Sequence, residues 1–516
     1  MKTARPIVPA LLGALAAVAA GCGSSSSSGG DHDPAALVPA SAPLYAEATV
    51  RPEGKVGSDL EAALKKILRT DDPGAKIEKA IDDSGKREGI TYAKDIEPWL
   101  GDRVGVALTA VNGNDRDFVA VIASKDDSKA ADAITGAQGD FVTRSYEGID
   151  YRVDRKRGTV AGVLDHAVVV GTEAGFKAAV DASKGESLAE SNSLRTLRSK
   201  VAEERIGLFY LDFQGLLRTA GQAAGSQPEI GALLQSVSAA APKTIGAAFQ
   251  AQPDALRIDG VSLGTPKSAS SGASGADVVA GLPGDSWLAL GIGKSGETLD
   301  RTVQAIANAG GLTGVGVNAI LGQFQKQTGL DLRKDVLSWM GDAGVFVGGT
   351  STAELGGALV VKTSDPAKTR RVIGVLRRLV RDQAGDVKIA PLDAQGVDDG
   401  FTVRSAGSPR IDVGLAGDKF IVSVGNFEAF RQAVSPGQTL GSTPAFTAAA
   451  NQLGGGLRPS FFLDFQRVVS LIEAFAGGQA DFAKAKPYLD TFGAVVAGAT
   501  DEGDGVTRAR FVVTLR

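Results

Sequence analysis

Cysteine and histidine are nearly absent from this sequence. Its 516 residues include 1 cysteine, Cys22, and 2 histidines, His32 and His166. A zinc site takes three or four nitrogen or sulfur ligands, so the chain has too few of these residues to build one. The lone cysteine also excludes a disulfide within the chain. We therefore expect the protein to bind no metal and no cofactor.

Few groups of the usual catalytic types remain. A serine-histidine-acid triad would have to use His166, and no Gly-x-Ser-x-Gly motif follows a strand to present a nucleophile. We interpret His166 as an exposed histidine beside a hairpin turn. A hydrolase that uses two carboxylates roughly 5 to 10 Å apart is not excluded in this way, because aspartate and glutamate together number 59.

The strongest carboxylate candidates recur along the chain beside a tryptophan. They are Asp95 and Asp102 around Trp99, and Asp335 and Asp342 around Trp339. With the indole as a stacking platform, such a group would suit a sugar ligand. We favour the alternative, in which each tryptophan fills the core between a short helix and a strand while Gly-Asp makes the turn.

The formal net charge of −4 argues against nucleic acid as a partner, because phosphate binding needs a concentrated positive field. One segment is nevertheless basic: TRRVIGVLRRLVRDQ, from Thr369, places arginines that include Arg377 and Arg378 around an apolar stripe. Basic amphipathic helices can lie on anionic membranes or bind acidic polymers. We favour a solvated arginine face over a core-packed stripe, and keep both arginines as weak binding candidates.

The first residues resemble an export signal. Lys2 and Arg5 precede an apolar run from Ile7 to Ala20, which is shorter than the roughly 20 residues that span a bilayer. Cys22 follows Ala19-Ala20-Gly21 and resembles the lipobox of bacterial lipoproteins, whose cysteine thiol carries a fatty-acylated diacylglyceryl group. We therefore expect a lipoprotein signal peptide over 1–21, then a lipidated Cys22 and a flexible Gly/Ser tether over 22–37.

The rest of the chain repeats itself. VPASAPLYAEATVRP from Val38 resembles LPGDSWLALGIGKSG from Leu282, DIEPWLGDRVGVAL from Asp95 resembles DVLSWMGDAGVFVG from Asp335, and FYLDFQ from Phe209 resembles FFLDFQ from Phe461. The order is kept throughout, which is typical of tandem duplication. We expect repeat one over 38–263, a linker of small and polar residues over 264–277, and repeat two over 278–516.

Short β-branched and aromatic runs alternate with amphipathic segments within each repeat. A helix is predicted from Ser58 to Arg69, with Ser58 and Glu61 at capping-box spacing, and Gly417-Asp418 is predicted to turn a hairpin. Hairpins interleaved with helices favour an α+β fold. We expect two tandem homologous repeats with mostly antiparallel sheets packed by amphipathic helices.

Polar residues recur where an apolar strand meets a helical pattern. These corner residues are Asp212 and Asp464, Asp126 and Asp365, and Thr172 and Asn426. A short polar side chain at such a corner can accept hydrogen bonds from the free amides of the first helical turn. Threonine and asparagine both cap helices but do not share catalytic chemistry. We therefore interpret the repeated Leu-Asp-Phe-Gln as a helix cap made twice.

The lipobox, the opening VPASAPLYAEATVRP, the tryptophan segment WLGDRVGVAL and the closing FFLDFQ together resemble an uncharacterised family of bacterial envelope lipoproteins. That family carries a domain-of-unknown-function label. The resemblance covers nearly the whole chain after the signal peptide. It implies export and anchoring by lipid to the outer face of the cytoplasmic membrane or the cell envelope, and it implies no catalytic residue.

We expect a non-enzymatic, membrane-tethered envelope lipoprotein that acts as a binding or scaffolding module. Its partners would be the membrane, through the N-terminal lipid, and an envelope protein or polymer contacted through a groove or the junction between the repeats. A carboxylate-based hydrolase of envelope glycans is the alternative. A purely structural adaptor that holds another envelope protein near the membrane is a third interpretation. The sequence identifies no specific ligand.

Overall fold

The computed structural model describes residues 32–85, 91–112, 115–137, 139–223, 238, 241–265, 275–308, 317–351, 353–383 and 387–516. The predicted signal peptide and Cys22 lie outside these residues. The chain divides into two compact units. Unit 1 comprises Met1–Gly231 and Ala241–Gly264, and unit 2 comprises Ala232–Ala240 and Thr265–Arg516.

The strands of unit 1 pair antiparallel with their neighbours. They are β1 Leu44–Thr49, β2 Leu100–Asn112, β3 Asp115–Ser124, β4 Phe141–Tyr146, β5 Ile149–Asp154, β6 Thr159–Leu164, β7 Ala167–Thr172, β8 Gly207–Asp212, β9 Thr244–Gln252 and β10 Ala255–Leu263. Their spatial order is β10-β9-β8-β1-β2-β3-β7-β6-β5-β4. β1 therefore lies in the interior of the sheet, between β2 and β8.

The described part of unit 1 also contains amphipathic helices, most of which pack on this sheet. They are α1 Gly54–Leu68, α2 Pro73–Gly85, α3 Asp127–Gly136, α4 Glu173–Lys184, α5 Asn192–Lys200 and α6 Phe213–Ala223. The helix predicted from Ser58 is α1, which begins one turn earlier and buries Leu60 and Leu64. The capping-box prediction is wrong, because Ser58 lies inside the helix and its hydroxyl donates to the carbonyl of Lys55.

Unit 2 also forms an antiparallel sheet. Its strands are β11 Leu288–Ile292, β12 Met340–Gly348, β13 Gly356–Thr363, β14 Lys388–Pro391, β15 Asp399–Arg404, β16 Arg410–Ala416, β17 Lys419–Gly425, β18 Phe461–Asp464, β19 Phe492–Gly503 and β20 Val506–Leu515. Their spatial order is β20-β19-β18-β11-β12-β13-β17-β16-β15-β14. The expected mixture of helices with a large antiparallel sheet is confirmed.

Helices lie on both faces of the sheet of unit 2. They are α7 Ala276–Gly281, α8 Ser295–Asn308, α9 Val317–Thr328, α10 Pro366–Gln383, α11 Phe427–Val434, α12 Pro444–Leu453, α13 Phe465–Ala476 and α14 Ala480–Leu489. Helix α10 buries Val372 and Ile373 in a core cluster with Val361 of β13 and Phe420 of β17. Among the residues described above, no helix combines the length and the apolar character needed to cross a membrane.

Two hairpin turns lie at or next to the positions that the sequence predicts. Gly417-Asp418 joins β16 to β17, and Gly417 has φ of 58°, which a glycine adopts without strain. This hairpin prediction is confirmed. Asp165-His166 joins β6 to β7 with φ of 44° and 57°. His166 is therefore part of a hairpin turn itself, and not merely beside one.

Two predicted boundaries need correction. The tether was expected to reach residue 37, but Pro34–Leu37 forms a 3₁₀ helix with Ala35 and Leu37 buried, because Asp33 caps its amides and proline starts it. The linker was expected to end at residue 277, but α7 already begins at Ala276 and buries Ala276 and Val279. Residues 266–274 of that linker lie outside the described part of the chain.

Candidate functional site

Both repeated tryptophans are buried. Trp99 is 6% exposed and Trp339 is 2% exposed. Each indole Nε1 donates a hydrogen bond to the carbonyl four residues earlier, from Trp99 to Asp95 at 2.6 Å and from Trp339 to Asp335 at 2.9 Å. Neither indole presents a face to solvent on which a sugar could stack. The geometry is that of a core side chain with its one donor satisfied.

The aspartates beside them are engaged by the backbone. Asp95 Oδ2 accepts from the amide of Thr91 at 2.7 Å, and Asp335 Oδ2 accepts from the amide of Asp331 at 2.8 Å. Asp342 Oδ1 accepts from the amide of Lys294 at 2.8 Å. Asp102 lies at the start of β2, where its carbonyl accepts from the amide of Val50 at 2.7 Å. These contacts hold turns and strand ends in place.

The predicted corner residues cap helices. Each accepts a hydrogen bond from an amide in the first turn of the following helix. The pairs are Asp126 with Lys129, Thr172 with Gly175, Asp212 with Gly215, Asp365 with Lys368, Asn426 with Ala429, and Asp464 with Arg467. The donor-acceptor distances run from 2.8 Å for Asp212 to 3.3 Å for Asp464. The helix-cap interpretation of the repeated Leu-Asp-Phe-Gln is confirmed.

The structure also shows the surroundings of Arg377, Arg378 and His166, which the sequence identified as candidates. Arg377 donates to Asp399 Oδ1 at 2.6 Å and to the carbonyl of Gly400 at 3.0 Å. Arg378 is exposed and donates to the carbonyl of Thr328 at 3.3 Å. His166 is exposed, with Nδ1 2.8 Å from Asp127 Oδ2. Cys22 lies outside the described residues. Within those residues, no group of histidine, cysteine, aspartate and glutamate side chains is arranged to hold a metal ion.

Carboxylates do gather in one small pocket of unit 2. The pocket has a volume of about 310 Å³, and Asp285, Glu354 and Glu428 are among its lining residues. A hydrogen bond from the Thr350 hydroxyl lowers the pKa of Glu354, and hydrogen bonding from Arg431 lowers the pKa of Glu428. A general acid in glycoside hydrolysis needs a raised pKa. These two glutamates therefore suit ionised, structural roles.

Unit 1 contains a charged cluster around the buried Glu47 that the sequence did not reveal. Glu47 of β1 is buried, and its Oε2 accepts from Tyr45 at 2.9 Å and from Arg103 at 3.0 Å. Arg198 of α5 donates to the same oxygen and also to both carboxylate oxygens of Asp33. Burial alone would raise the pKa of Asp33, but the hydrogen bonds and charge of Arg198 hold it below its usual value.

The second unpredicted feature is an open apolar trough on unit 2. It has a volume of about 740 Å³, and β12, β13 and β17 line it, within the range of small-molecule sites. The side chains that point into it alternate along each strand. They are Val345 and Val347 of β12, Leu359 of β13, and Val422 and Val424 of β17, and Leu355, just before β13, also lines the trough. None of the described residues that line the trough carries a titratable side chain.

The trough is one end of a longer apolar strip, defined by two rows of residues in register across the sheet. The first row is Val422, Leu359, Val345, Leu290, Phe461, Ala497 and Phe511. The second row is Val424, Gly357, Val347, Leu288, Leu463, Val495 and Val513. Val424 is 46% exposed and Leu290 is 40% exposed, so helices leave this face partly open.

Exposed hydrophobic residues are concentrated in unit 2. In the described part of the chain, one exposed large hydrophobic side chain, Phe249, belongs to unit 1. The others belong to unit 2. Those of unit 2 are Leu290, Ile292, Leu299, Ile320, Leu355, Val424, Ile472, Tyr488 and Phe511. Of these residues, Leu290, Val424 and Phe511 belong to the apolar strip, and an exposed apolar patch that is contiguous marks an interaction site.

A family model matches residues 7–515. The chain belongs to the family described as Protein of unknown function (DUF3352). The match covers both units and nearly the whole chain. None of the curated proteins matches this chain.

Two solved structures are similar to part of the chain, and both are of TP0453. Its crystal form III is 14% identical, with 46% of this chain and 82% of that chain covered and a TM-score of 0.27. Its crystal form I is 11% identical, with 46% of this chain and 81% of that chain covered and a TM-score of 0.26.

Proposed function

We propose that this protein is a membrane-tethered envelope lipoprotein that binds a partner without catalysing a reaction. The apolar trough on unit 2 is the observation that carries the binding role. Valine, leucine and glycine line most of it, and such side chains exclude water but supply no nucleophile, acid or base. A site of this composition binds the apolar part of a partner, and the fit between the two shapes determines the selectivity.

The anchor would be Cys22. The chain has no second cysteine to compete for the lipid, and the apolar run before Cys22 ends in small residues. The described part of unit 1 starts at His32, ten residues after Cys22 (32 − 22 = 10). A segment of that length reaches at most about 35 Å when fully extended, and a Gly/Ser coil averages about 17 Å. Lipidation at Cys22 would therefore hold the start of unit 1 close to the membrane surface.

Several pairs of features support a body of two homologous repeats over 38–263 and 278–516, joined by a linker over 264–277. The strands in the described part of each unit have the same spatial order when they are numbered from the start of the unit. Trp99 and Trp339 make the same hydrogen bond to the carbonyl four residues earlier. Thr172 and Asn426 cap helices at equivalent corners.

The two repeats differ in the side chains that they expose, which supports different roles for unit 1 and unit 2. Ala46 and Ala48 of β1 stand at the positions that Leu290 and Ile292 occupy in β11. Both residues of β11 are exposed. At the position between them, unit 1 has Glu47 and unit 2 has Gly291. Unit 1 therefore holds the charged cluster near the tether, while unit 2 has the open apolar surface.

Metabolic labelling with an alkyne-bearing palmitate analogue tests the anchor. The wild-type chain is expected to become labelled and to fractionate with membranes, and Cys22→Ala is expected to lose the label. Cys22→Ser is a matched control that keeps the size and polarity of the side chain but cannot form the thioether. Equal labelling of all the chains would show that the lipid is elsewhere and would refute anchoring at Cys22.

A further inference from the structure

The trough in unit 2 lies beside the most basic helix of the structure, on the same face of the sheet. Leu359 and Val361 alternate along β13 and point to one face, as do Phe420, Val422 and Val424 along β17. Val361 and Phe420 pack in one cluster with Val372 and Ile373 of α10. The trough therefore continues the surface that α10 covers.

Helix α11 lies on the opposite face. A Cβ atom built on Gly356 would lie 3.1 Å from the Cβ of Ala429, and one built on Gly414 would lie 2.9 Å from the ring of Phe430. Gly356 and Gly414 alternate with Gly357 and Val413, which face the trough side of the sheet. Residues of α11 are thus matched controls for residues of the trough.

Helix α10 borders one end of the apolar strip and is strongly basic. It packs over β16, the strand next to β17, and over β15, the strand beyond it. Residues 366–383 contain six basic side chains and one acidic side chain, a net charge of 6 − 1 = +5. Four of its arginines are exposed, and they are Arg370, Arg371, Arg378 and Arg381.

The strip is long and narrow. It crosses seven strands, from β17 to β20, and six spacings between neighbouring strands amount to about 29 Å. It is only two residues wide along each strand, which is about 7 Å. A ligand that matches this shape is elongated and apolar, and the arginines at one end favour a negative charge at one end of the ligand.

We propose that the strip binds the acyl chain of an anionic amphiphile, with the carboxylate or phosphate head at the α10 end and the chain running from β17 toward β20. This inference rests on the proposed binding role and does not depend on lipidation of Cys22. The arginines supply charge complementarity to the head, and the valine and leucine rows supply the burial that stabilises the chain.

Photo-cross-linking of the full-length protein in its native cells tests this proposal. The photoreactive residue p-benzoylphenylalanine replaces Val424 in one variant and Glu428 in another. The cells are grown with ¹⁴C-palmitate and ³²P-phosphate, irradiated, and the protein is digested with trypsin. Both positions fall in the same tryptic peptide, Phe420–Arg431, so the lipid on Cys22 does not interfere. Leu290 offers a second position in the strip if the Val424 variant does not fold.

The proposal expects radioactive lipid on this peptide when the reactive residue is at position 424, and little when it is at position 428. Both isotopes together would identify a phospholipid. Label from ¹⁴C alone would identify a fatty acid or another acyl chain without phosphate. Equal labelling at the two positions would mean nonspecific contact with lipid, and that result would overturn the proposal.

Charge reversal tests the position of the head. Arg370→Glu with Arg381→Glu is expected to reduce the lipid cross-link at position 424 by roughly fivefold for each arginine. Lys55→Glu with Lys79→Glu changes the net charge of the protein equally but lies in unit 1, and it is expected to leave the cross-link unchanged. If charge reversal in α10 leaves the lipid cross-link at position 424 unchanged, the ligand does not have an anionic head at that end of the strip.

The outcomes separate this inference from the proposed function. A cross-link from position 424 to a protein, without lipid, would leave the binding role intact and refute the acyl-chain ligand. No cross-link from either Val424 or Leu290 would refute both. The palmitate label on Cys22 is read on a different peptide, so loss of anchoring would not be confused with loss of ligand.

Discussion

Arg198 holds Asp33 through two hydrogen bonds, from Nη1 to Oδ2 at 2.7 Å and from Nη2 to Oδ1 at 3.1 Å. The two residues are 165 positions apart in the sequence. The same guanidinium also reaches the buried carboxylate of Glu47. Arg198 thus joins the start of the folded chain, strand β1 and helix α5 at one point.

Arg198→Ala is expected to lower the free energy of unfolding by about 3 kcal/mol or more, because it leaves the buried charge of Glu47 with fewer partners. Urea denaturation followed by circular dichroism measures this change. Arg431→Ala removes an arginine from a well-exposed pair with Glu428 and is expected to cause no measurable change. If the two variants unfold at the same urea concentration, the cluster does not stabilise unit 1.

The depressed pKa of Asp33 makes stability depend on pH. Because its folded pKa lies below the unfolded value, Asp33 stabilises the fold above the unfolded pKa of about 3.9. That contribution is lost as the pH falls through the folded pKa. Between pH 6 and pH 3, Asp33→Asn is expected to lose less stability than the wild type. Denaturation curves at several pH values check this, and identical slopes would contradict it.

Trp339 fills a large volume in the core cluster that α10 buries in unit 2, in edge contact with Phe420 at 5.5 Å between ring centroids. Trp339→Ala is expected to cost about 3–5 kcal/mol through the cavity that it leaves. Trp339→Phe keeps an aromatic ring and is expected to cost less. Intrinsic fluorescence provides a second readout, because loss of a buried indole removes blue-shifted emission. If Trp339→Ala hardly changes the free energy of unfolding, Trp339 is not a core residue, and a ligand-stacking role would have to be reconsidered.

The role of the capping residues can be tested by replacing one capping side chain with another. Asp464→Ala is expected to cost about 1 kcal/mol because it frees an amide of α13, whereas Asp464→Asn keeps an acceptor and is expected to cost much less. Thr172→Asn places the cap of α11 at the start of α4 and is expected to be tolerated. Thermal denaturation of the variants measures these changes. Equal losses for Asp464→Ala and Asp464→Asn would point to a role for the charge itself.

Features that depend on short-range geometry could be predicted from the sequence. The caps, the Gly417-Asp418 turn and the antiparallel hairpins involve residues a few positions apart, where spacing and residue type restrict the backbone to few conformations. The burial of Trp99 and Trp339 follows from the same reasoning, since each sits where a short helix ends and a strand begins.

Features that depend on distant pairing could not be predicted in this way. No local sequence pattern near Asp33 or Arg198 indicates their contact, so the sequence alone places Asp-Pro-Ala-Ala-Leu in the predicted tether. Alternation along β11 shows that Leu288, Leu290 and Ile292 share a face, but not whether a helix covers that face. The comparison of residues 38–52 with residues 282–296 did contain a signal, because it aligns Ala46 and Ala48 with the larger Leu290 and Ile292.

The position of β1 has a mechanical consequence. The chain enters the fold at Asp33, passes through the 3₁₀ helix Pro34–Leu37 and then becomes β1, which is hydrogen-bonded on both sides by β2 and β8. Force applied from the N-terminus would first strain the Asp33–Arg198 contact and would then have to break the hydrogen bonds of β1 to two neighbouring strands, whereas an edge strand is bonded to only one.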